Sequence, residues 1–296
     1  MTNVLEARGL GKQYRGRWAL RDCDLSIPAG SVVGLVGPNG AGKTTFLHLA
    51  TGLIKPSAGT IEVVGGRPAA NRSQLSKVGF VAQDTPTYAA MSIADHLRLG
   101  AHLNRGWDDQ FARDRIEKLG LDPKLRAGRL SGGQRAQLAL TMAIAKTPEI
   151  LILDEPVAAL DPLARREFIE ALLEAVAAYE MSVVLSSHLI SDLEVACDYL
   201  IVLAAGRVQL AGQVDELLHD HRQLTTVGAE PGRLPREGDV IAVRRAERKT
   251  TAVVRSDAPL HDADWTVSQI NLEELVLAYM NRAAETRTRR TEEAAK

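Results

Sequence analysis

Val32-Val33-Gly34-Leu35-Val36-Gly37-Pro38-Asn39-Gly40-Ala41-Gly42-Lys43-Thr44-Thr45-Phe46-Leu47-His48-Leu49-Ala50 is the stretch from which the rest of the chain is read. Val32, Val33, Leu35 and Val36 predict a short buried strand. Phe46, Leu47, Leu49 and Ala50 predict the start of a helix. Between them lies a glycine-rich loop, Gly37-Pro38-Asn39-Gly40-Ala41-Gly42-Lys43-Thr44-Thr45. Strand, loop and helix stand in the order of a phosphate-binding P-loop. The residue types suit that chemistry. Gly37, Gly40 and Gly42 let the backbone wrap tightly, so that successive N–H groups converge on an anion. The helix beginning near Lys43 turns its positive N-terminal end toward the same anion. Lys43 can reach β- and γ-phosphates, and the Thr44 hydroxyl can ligate Mg²⁺.

The 296 residues leave room for one large α/β domain and something smaller. A net charge of −1 gives no electrostatic footprint for nucleic acid, and no nucleic-acid partner is expected. Cys23 and Cys197 lie far apart, outside any metal-ligand spacing, and read as reduced, buried thiols of a cytosolic protein. Met1 to Arg8 is too polar for a signal peptide. No apolar run approaches the roughly 18 residues of a membrane span, so a membrane role requires a separate membrane partner.

Before the P-loop, Val4–Ala7 and Cys23–Ile27 alternate as half-buried strands do, with Tyr14 among basic residues between them. Strands are predicted at Thr60–Val64 and at Val78–Ala82, with Gln83 at the end of the latter. Met91 to Leu121 has a helical pattern. Leu130-Ser131-Gly132-Gly133-Gln134 opens a further helix that Pro148 terminates. Ile150-Leu151-Ile152-Leu153 has the length of a doubly covered parallel strand and ends in Asp154-Glu155. Ala159-Leu160-Asp161-Pro162 leads into a long amphipathic helix over Leu163–Tyr179. Ser182–Ser186 reads as another buried strand followed by His188. Tyr199–Leu203 and Arg207–Leu210 form a hairpin, and Val214–His219 a closing helix. A carboxylate at the tip of a buried strand, Asp154, can hold Mg²⁺ directly or through water. Glu155 can act as general base toward a water. No Asn-Lys-x-Asp motif supports guanine specificity.

The Leu-Ser-Gly-Gly-Gln run at 130–134, together with the P-loop and the Asp154-Glu155 pair, resembles the ATP-binding cassette (ABC) ATPases from about Val4 to His219, with every motif in family order. The resemblance implies ATP and Mg²⁺ as cofactors. It implies a P-loop NTPase fold: α/β, with a doubly wound, mainly parallel sheet, an antiparallel β subdomain, a helical subdomain at about 88–140 and a small C-terminal α+β piece. By resemblance, Tyr14 stacks on adenine, Gln83 senses Mg²⁺ and couples to a partner, and His188 contacts the γ-phosphate. Ser131, Gly132, Gly133 and Gln134 would hold ATP bound on the other subunit of a homodimer, across an interface at which Asp161 communicates. Val157 and Ala158 depart from the commoner Thr and Ser or Asn, which touches only the details of that interface.

The expected function is the energy subunit of an ABC transporter, driving separate integral-membrane permease subunits that touch it near Gln83–Met91, on the cytoplasmic face of the cell membrane. A softer resemblance, carried by Leu272-Glu273-Glu274, points to the drug- and antibiotic-export branch. A non-transport ATPase of protein assembly or nucleic-acid maintenance is the alternative, disfavoured by the single cassette and the lack of a coiled-coil insertion. A ligand-sensing regulator has no feature demanding it. The domain boundaries expected are 1–222, 223–283 and a flexible tail at 284–296. In the second of these, Asp239–Ala246 and Thr250–Arg255 read as strands around Glu247-Arg248-Lys249. Asn271 then caps a helix with an apolar stripe of Leu272, Leu275, Val276, Tyr279 and Met280. That stripe needs a docking surface. The expectation favours a partner or dimer contact over a brace on the cassette, with the piece dispensable for ATP chemistry.

Overall fold

In the computed structural model, residues 2–85, 87–227, 238–246, 249–256 and 264–294 are described, with side chains as far as 286. β1 (Asn3–Tyr14) and β2 (Arg17–Pro28) form a long antiparallel hairpin, β3 (Val32–Val36) leads into the P-loop, and α1 (Lys43–Ala50) follows it. Next come β4 (Ala58–Val63), α2 (Arg72–Ser76) and β5 (Val78–Val81). The helical region holds α3 (Ile93–Leu103), α4 (Asp109–Lys118) and α5 (Gly132–Ala145). The core then continues through β6 (Ile150–Asp154), α6 (Pro162–Tyr179), β7 (Ser182–Ser187), α7 (Ile190–Ala196), β8 (Tyr199–Ala204), β9 (Arg207–Gln213) and α8 (Val214–Asp220). The chain ends with β10 (His221–Val227), β11 (Asp239–Ala246), β12 (Lys249–Arg255), β13 (Thr266–Gln269) and α9 (Leu272–Ala294).

The central sheet has six strands in the order β5-β6-β7-β3-β8-β9, parallel except for β9. Alternation along each strand splits the core into two layers. Val33, Leu35, Ile150, Ile152, Val184, Ile201 and Leu203 point to a layer shared with α1 and the β2-β1-β4 sheet. Val32, Val36, Leu151, Leu153, Val183, Leu185, Leu200 and Val202 point to the opposite layer, shared with α5 to α9. This period-two division is what strands buried on both faces require. The loop after β3 lies at the carboxyl ends of the strands, where the order reverses and open α/β sheets leave a crevice.

The helical reading of Met91–Leu121 resolves into two helices. Ser92 caps α3 in a capping box with Asp95, and Asp108 caps α4, so the chain restarts rather than continues. This region has its own core of Ile93, Leu97, Ile116, Leu121 and Leu138. The other side of α5, with Leu140 and Ile144, packs on the central sheet. Tyr14, read as lying between the first two strands, is instead the last residue of β1, paired with Arg17.

The C-terminal piece departs most from the sequence reading. β10 begins directly after α8 and is an inner strand of a four-stranded sheet, β11-β12-β10-β13. Neither β10 nor β13 was legible, because neither carries a clean alternation. Glu247 and Arg248 of the expected turn lie outside the described residues. The stripe on α9 packs mainly on the cassette: Leu272, Leu275, Val276 and Tyr279 join one buried cluster with Leu193, Leu200, Val202, Leu210 and Leu217. The docking surface that the stripe needs is therefore this chain's own, which favours the brace over the partner contact. The backbone of α9 remains helical through Ala294, where the sequence suggested a frayed tail. Among the described residues no helix is long and apolar enough to cross a membrane.

Candidate active site

The loop after β3 is shaped by contacts that tolerate no side chain at Gly37. A Cβ there would stand 2.1 Å from the Leu203 carbonyl oxygen on β8. Gly42, at φ +107°, caps α1 in a backbone conformation that L-residues avoid. With no side chain over it, the first turn of α1 leaves its N–H groups open toward the loop.

A cavity of about 730 Å³ opens over this loop. Its lining brings together Asn39, Gly40, Ala41, Gly42, Lys43, Thr44 and Thr45 with Tyr14, Gln83, Glu155 and His188. Residues from the tips of β1, β5, β6 and β7 thus meet at the loop of β3, although they are spread from 14 to 188 along the chain. Ala19 and Ala158 line it too; Ala19 escaped sequence reading because a lone alanine in a strand carries no signal.

Lys43 is buried at its ammonium end, donates to the Gly37 carbonyl at 2.8 Å and lies 3.3 Å from Glu155 Oε1. The other carboxylate oxygen, Oε2, is 3.1 Å from His188 Nδ1. Glu155 has a left-handed backbone, φ +46°, which costs a non-glycine residue about 1–2 kcal/mol. Its N–H donates to Ser186 Oγ at 2.9 Å, and Ser186 Oγ donates to Asp154 Oδ1 at 2.8 Å. Asp154 is buried at the end of β6.

The remaining predicted residues stand apart from the cavity lining. Pro38 lies in the loop without lining the cavity. Ser131, Gly132, Gly133 and Gln134 form the first turn of α5: Ser131 Oγ accepts the Gln134 N–H at 3.2 Å, and Gln134 Oε1 accepts the Ser131 N–H at 3.0 Å. Asp161 caps α6, its carboxylate accepting from the N–H groups of Leu163 and Ala164, each at 3.0 Å.

Among the described residues no cluster of three or more His, Cys, Asp or Glu side chains could hold a metal. One carboxylate (Asp154), one hydroxyl (Thr44) and one amide (Gln83) are oxygen donors that suit Mg²⁺ only when phosphate oxygens complete the shell.

The chain resembles known proteins over most of its length. Residues 20–158 match the model of the ABC transporter family. Over 220 residues, 72% of each chain, the sequence is 33% identical to the uncharacterized ABC transporter ATP-binding protein YxlF of Bacillus subtilis. It is 32% identical to the lipopolysaccharide export system ATP-binding protein LptB of Acidithiobacillus ferridurans, covering 74% of this chain and 94% of that one. It is 31% identical to the methionine import ATP-binding protein MetN of Protochlamydia amoebophila, covering 72% and 67%. Among solved structures, an ATP-binding subunit of an ABC transporter superposes with a TM-score of 0.66 at 27% identity, over 73% of this chain and 92% of that one. With about a third of its residues shared with such proteins over more than two-thirds of its length, and with the P-loop, the paired carboxylates and the Leu-Ser-Gly-Gly-Gln turn all present, the chain belongs to the ABC transporter ATP-binding proteins and is an ATPase.

Proposed function

We propose that the chain works as a homodimer that closes on two ATP molecules and reopens on hydrolysis, passing that motion to separate integral-membrane permease subunits at the cytoplasmic face of a membrane. One observation carries the reading. The cavity brings together Tyr14, the P-loop, Glu155 and His188, which this reading assigns to the base, the phosphates, the water and the γ-phosphate, while the Ser131–Gln134 turn lies outside its lining. A second copy, arranged head to tail, supplies that turn. Thr44, Gln83 and Asp154 would hold Mg²⁺, which offsets phosphate charge when bound. Gln83, at the start of the Gln83–Met91 segment that would meet the permease, links the site to that contact. Export of a drug, antibiotic or lipid-like substrate is the direction we favour, on the Leu272-Glu273-Glu274 feature; relatives named for export and for import both match.

Lys43→Ala and Ser131→Arg separate the two halves of the site. Lys43→Ala removes a buried ammonium from its own P-loop and is expected to weaken ATP binding by about tenfold or more. Ser131→Arg removes a helix cap worth about 1 kcal/mol, which the fold survives. It is expected to keep monomer ATP affinity and to abolish ATP-driven dimerisation and hydrolysis. Loss of ATP binding by the Ser131→Arg monomer would contradict the head-to-tail arrangement.

A further inference from the structure

We propose that Ser186 is a positioning residue for the paired carboxylates, and that its hydroxyl ties the strand bearing His188 to Asp154 and Glu155. This rests on the roles given above to Asp154 and Glu155. β7 runs Ser182-Val183-Val184-Leu185-Ser186-Ser187 between β6 and β3, fully covered on both faces. Such a strand calls for apolar residues throughout, and Val183, Val184 and Leu185 comply. Ser186 does not, although it is wholly buried. In the parallel register it stands opposite Asp154 on one side and opposite Leu35, just before the P-loop, on the other.

Its two hydrogen bonds explain a hydroxyl in that place. Ser186 Oγ gives its proton to Asp154 Oδ1 at 2.8 Å and takes the Glu155 N–H at 2.9 Å. A hydroxyl is the small side-chain group that can donate and accept at once. The bond to Asp154 fixes the carboxylate's rotation about the end of β6. The bond to Glu155 holds its N–H just past the end of β6, where the chain turns to φ +46°. That turn aims the Glu155 side chain at Lys43 and His188. The neighbouring Ser187 does something else: its Oγ donates to the Leu189 carbonyl and accepts the Leu189 N–H, both at 3.0 Å, shaping the turn that carries His188. Ser187 Oγ also lies 3.4 Å from the Asp192 carboxylate; of the two adjacent serines, Ser186 is the one that reaches Asp154 and Glu155.

Residues that orient a metal ligand typically change metal affinity or activity by about 10–100-fold when removed. Ser186→Ala in the full chain is therefore expected to lower the hydrolysis rate by about that factor. Its ATP affinity in a chelator should match the wild type, because the P-loop is untouched, while the gain in affinity on adding Mg²⁺ should shrink. Ser186→Thr keeps the hydroxyl and should restore both. Thermal melting of each variant shows whether it is folded. If Ser186→Ala does not fold, Ser186→Cys makes the same distinction at nearly unchanged size with a weak donor. Undiminished hydrolysis and an undiminished Mg²⁺ response in Ser186→Ala would overturn the role of Ser186 alone. A purely structural role would instead lower melting temperature and chelator ATP affinity together, and would overturn it as well. A wild type whose ATP affinity ignores Mg²⁺ would count against Asp154 as a metal ligand, and against this role with it.

Discussion

Tyr14 shows how far a single residue can be read. In sequence it is a tyrosine among basic residues, a pattern common on protein surfaces. The structure puts it at the end of β1, 46% exposed, on the wall of the P-loop cavity, with Lys12 Nζ 5.3 Å from its ring centroid. An exposed aromatic face over a nucleotide site is suited to stacking, worth about 1–3 kcal/mol per base. Tyr14→Ala is expected to raise the dissociation constant for ATP from several-fold to about a hundredfold, and Tyr14→Phe to leave it nearly unchanged, in a fluorescent-nucleotide titration. An unaltered affinity in Tyr14→Ala would return Tyr14 to the surface. Glu155, Lys43 and His188 were legible because their motifs are contiguous or stand at strand ends. Ser186 was not. A serine closing an apolar run is unremarkable until the register of β6 and β7 sets it opposite Asp154.

At the scale of elements, helices announced by caps were found with small shifts at their ends, whereas the strands announced by alternation at Val4–Ala7 and Cys23–Ile27 extend to Asn3–Tyr14 and Arg17–Pro28. α6 begins at Pro162 after the Asp161 cap, and β6 ends at Asp154, as the residues indicate. The junction between α8 and β10 was missed, because His221 is a polar residue at a place that is wholly buried. Its ring joins three elements: Nδ1 lies 2.7 Å from the Leu217 carbonyl on α8, and Nε2 lies 2.9 Å from the Tyr279 hydroxyl on α9. Burial lowers the His221 pKa below its ordinary value of 6.5, with Arg255 and Arg222 acting in the same direction and the Leu217 carbonyl and Asp220 opposing. The folded chain then binds fewer protons than the unfolded chain at mildly acid pH. Stability contributed by the neutral ring is complete above pH 6.5 and is lost as pH falls from there toward the lowered folded value, by up to about 1.4 kcal/mol per pH unit. Melting temperature should therefore drop on acidification below about pH 6.5, and His221→Phe should flatten that drop. An equally steep drop in His221→Phe would show that other groups carry it.

The molecule is built on a central six-stranded sheet whose two faces are filled by different parts of the chain, and the P-loop strand β3 contributes side chains to both layers. The main architecture was legible because the family motifs order the strands. The relation between cassette and C-terminal piece was not, since an apolar stripe such as that of α9 says that a helix is covered without saying by what. In the folded chain the stripe closes the layer beside α7, the helix that follows His188. The nucleotide cavity, by contrast, is open and holds half of the proposed site. A measurement on Glu155→Gln tests that account most directly. The substitution keeps the P-loop, Asp154 and the size of the side chain, and removes the carboxylate proposed as the base together with its charge beside Lys43 and His188. Size-exclusion chromatography of Glu155→Gln with Mg²⁺ and ATP, beside the same protein without nucleotide, should show a stable dimer with ATP and a monomer without, together with loss of steady-state hydrolysis. A Glu155→Gln protein that stays monomeric with Mg²⁺ and ATP while hydrolysing within a few-fold of the wild type would contradict both the composite site and the role of Glu155.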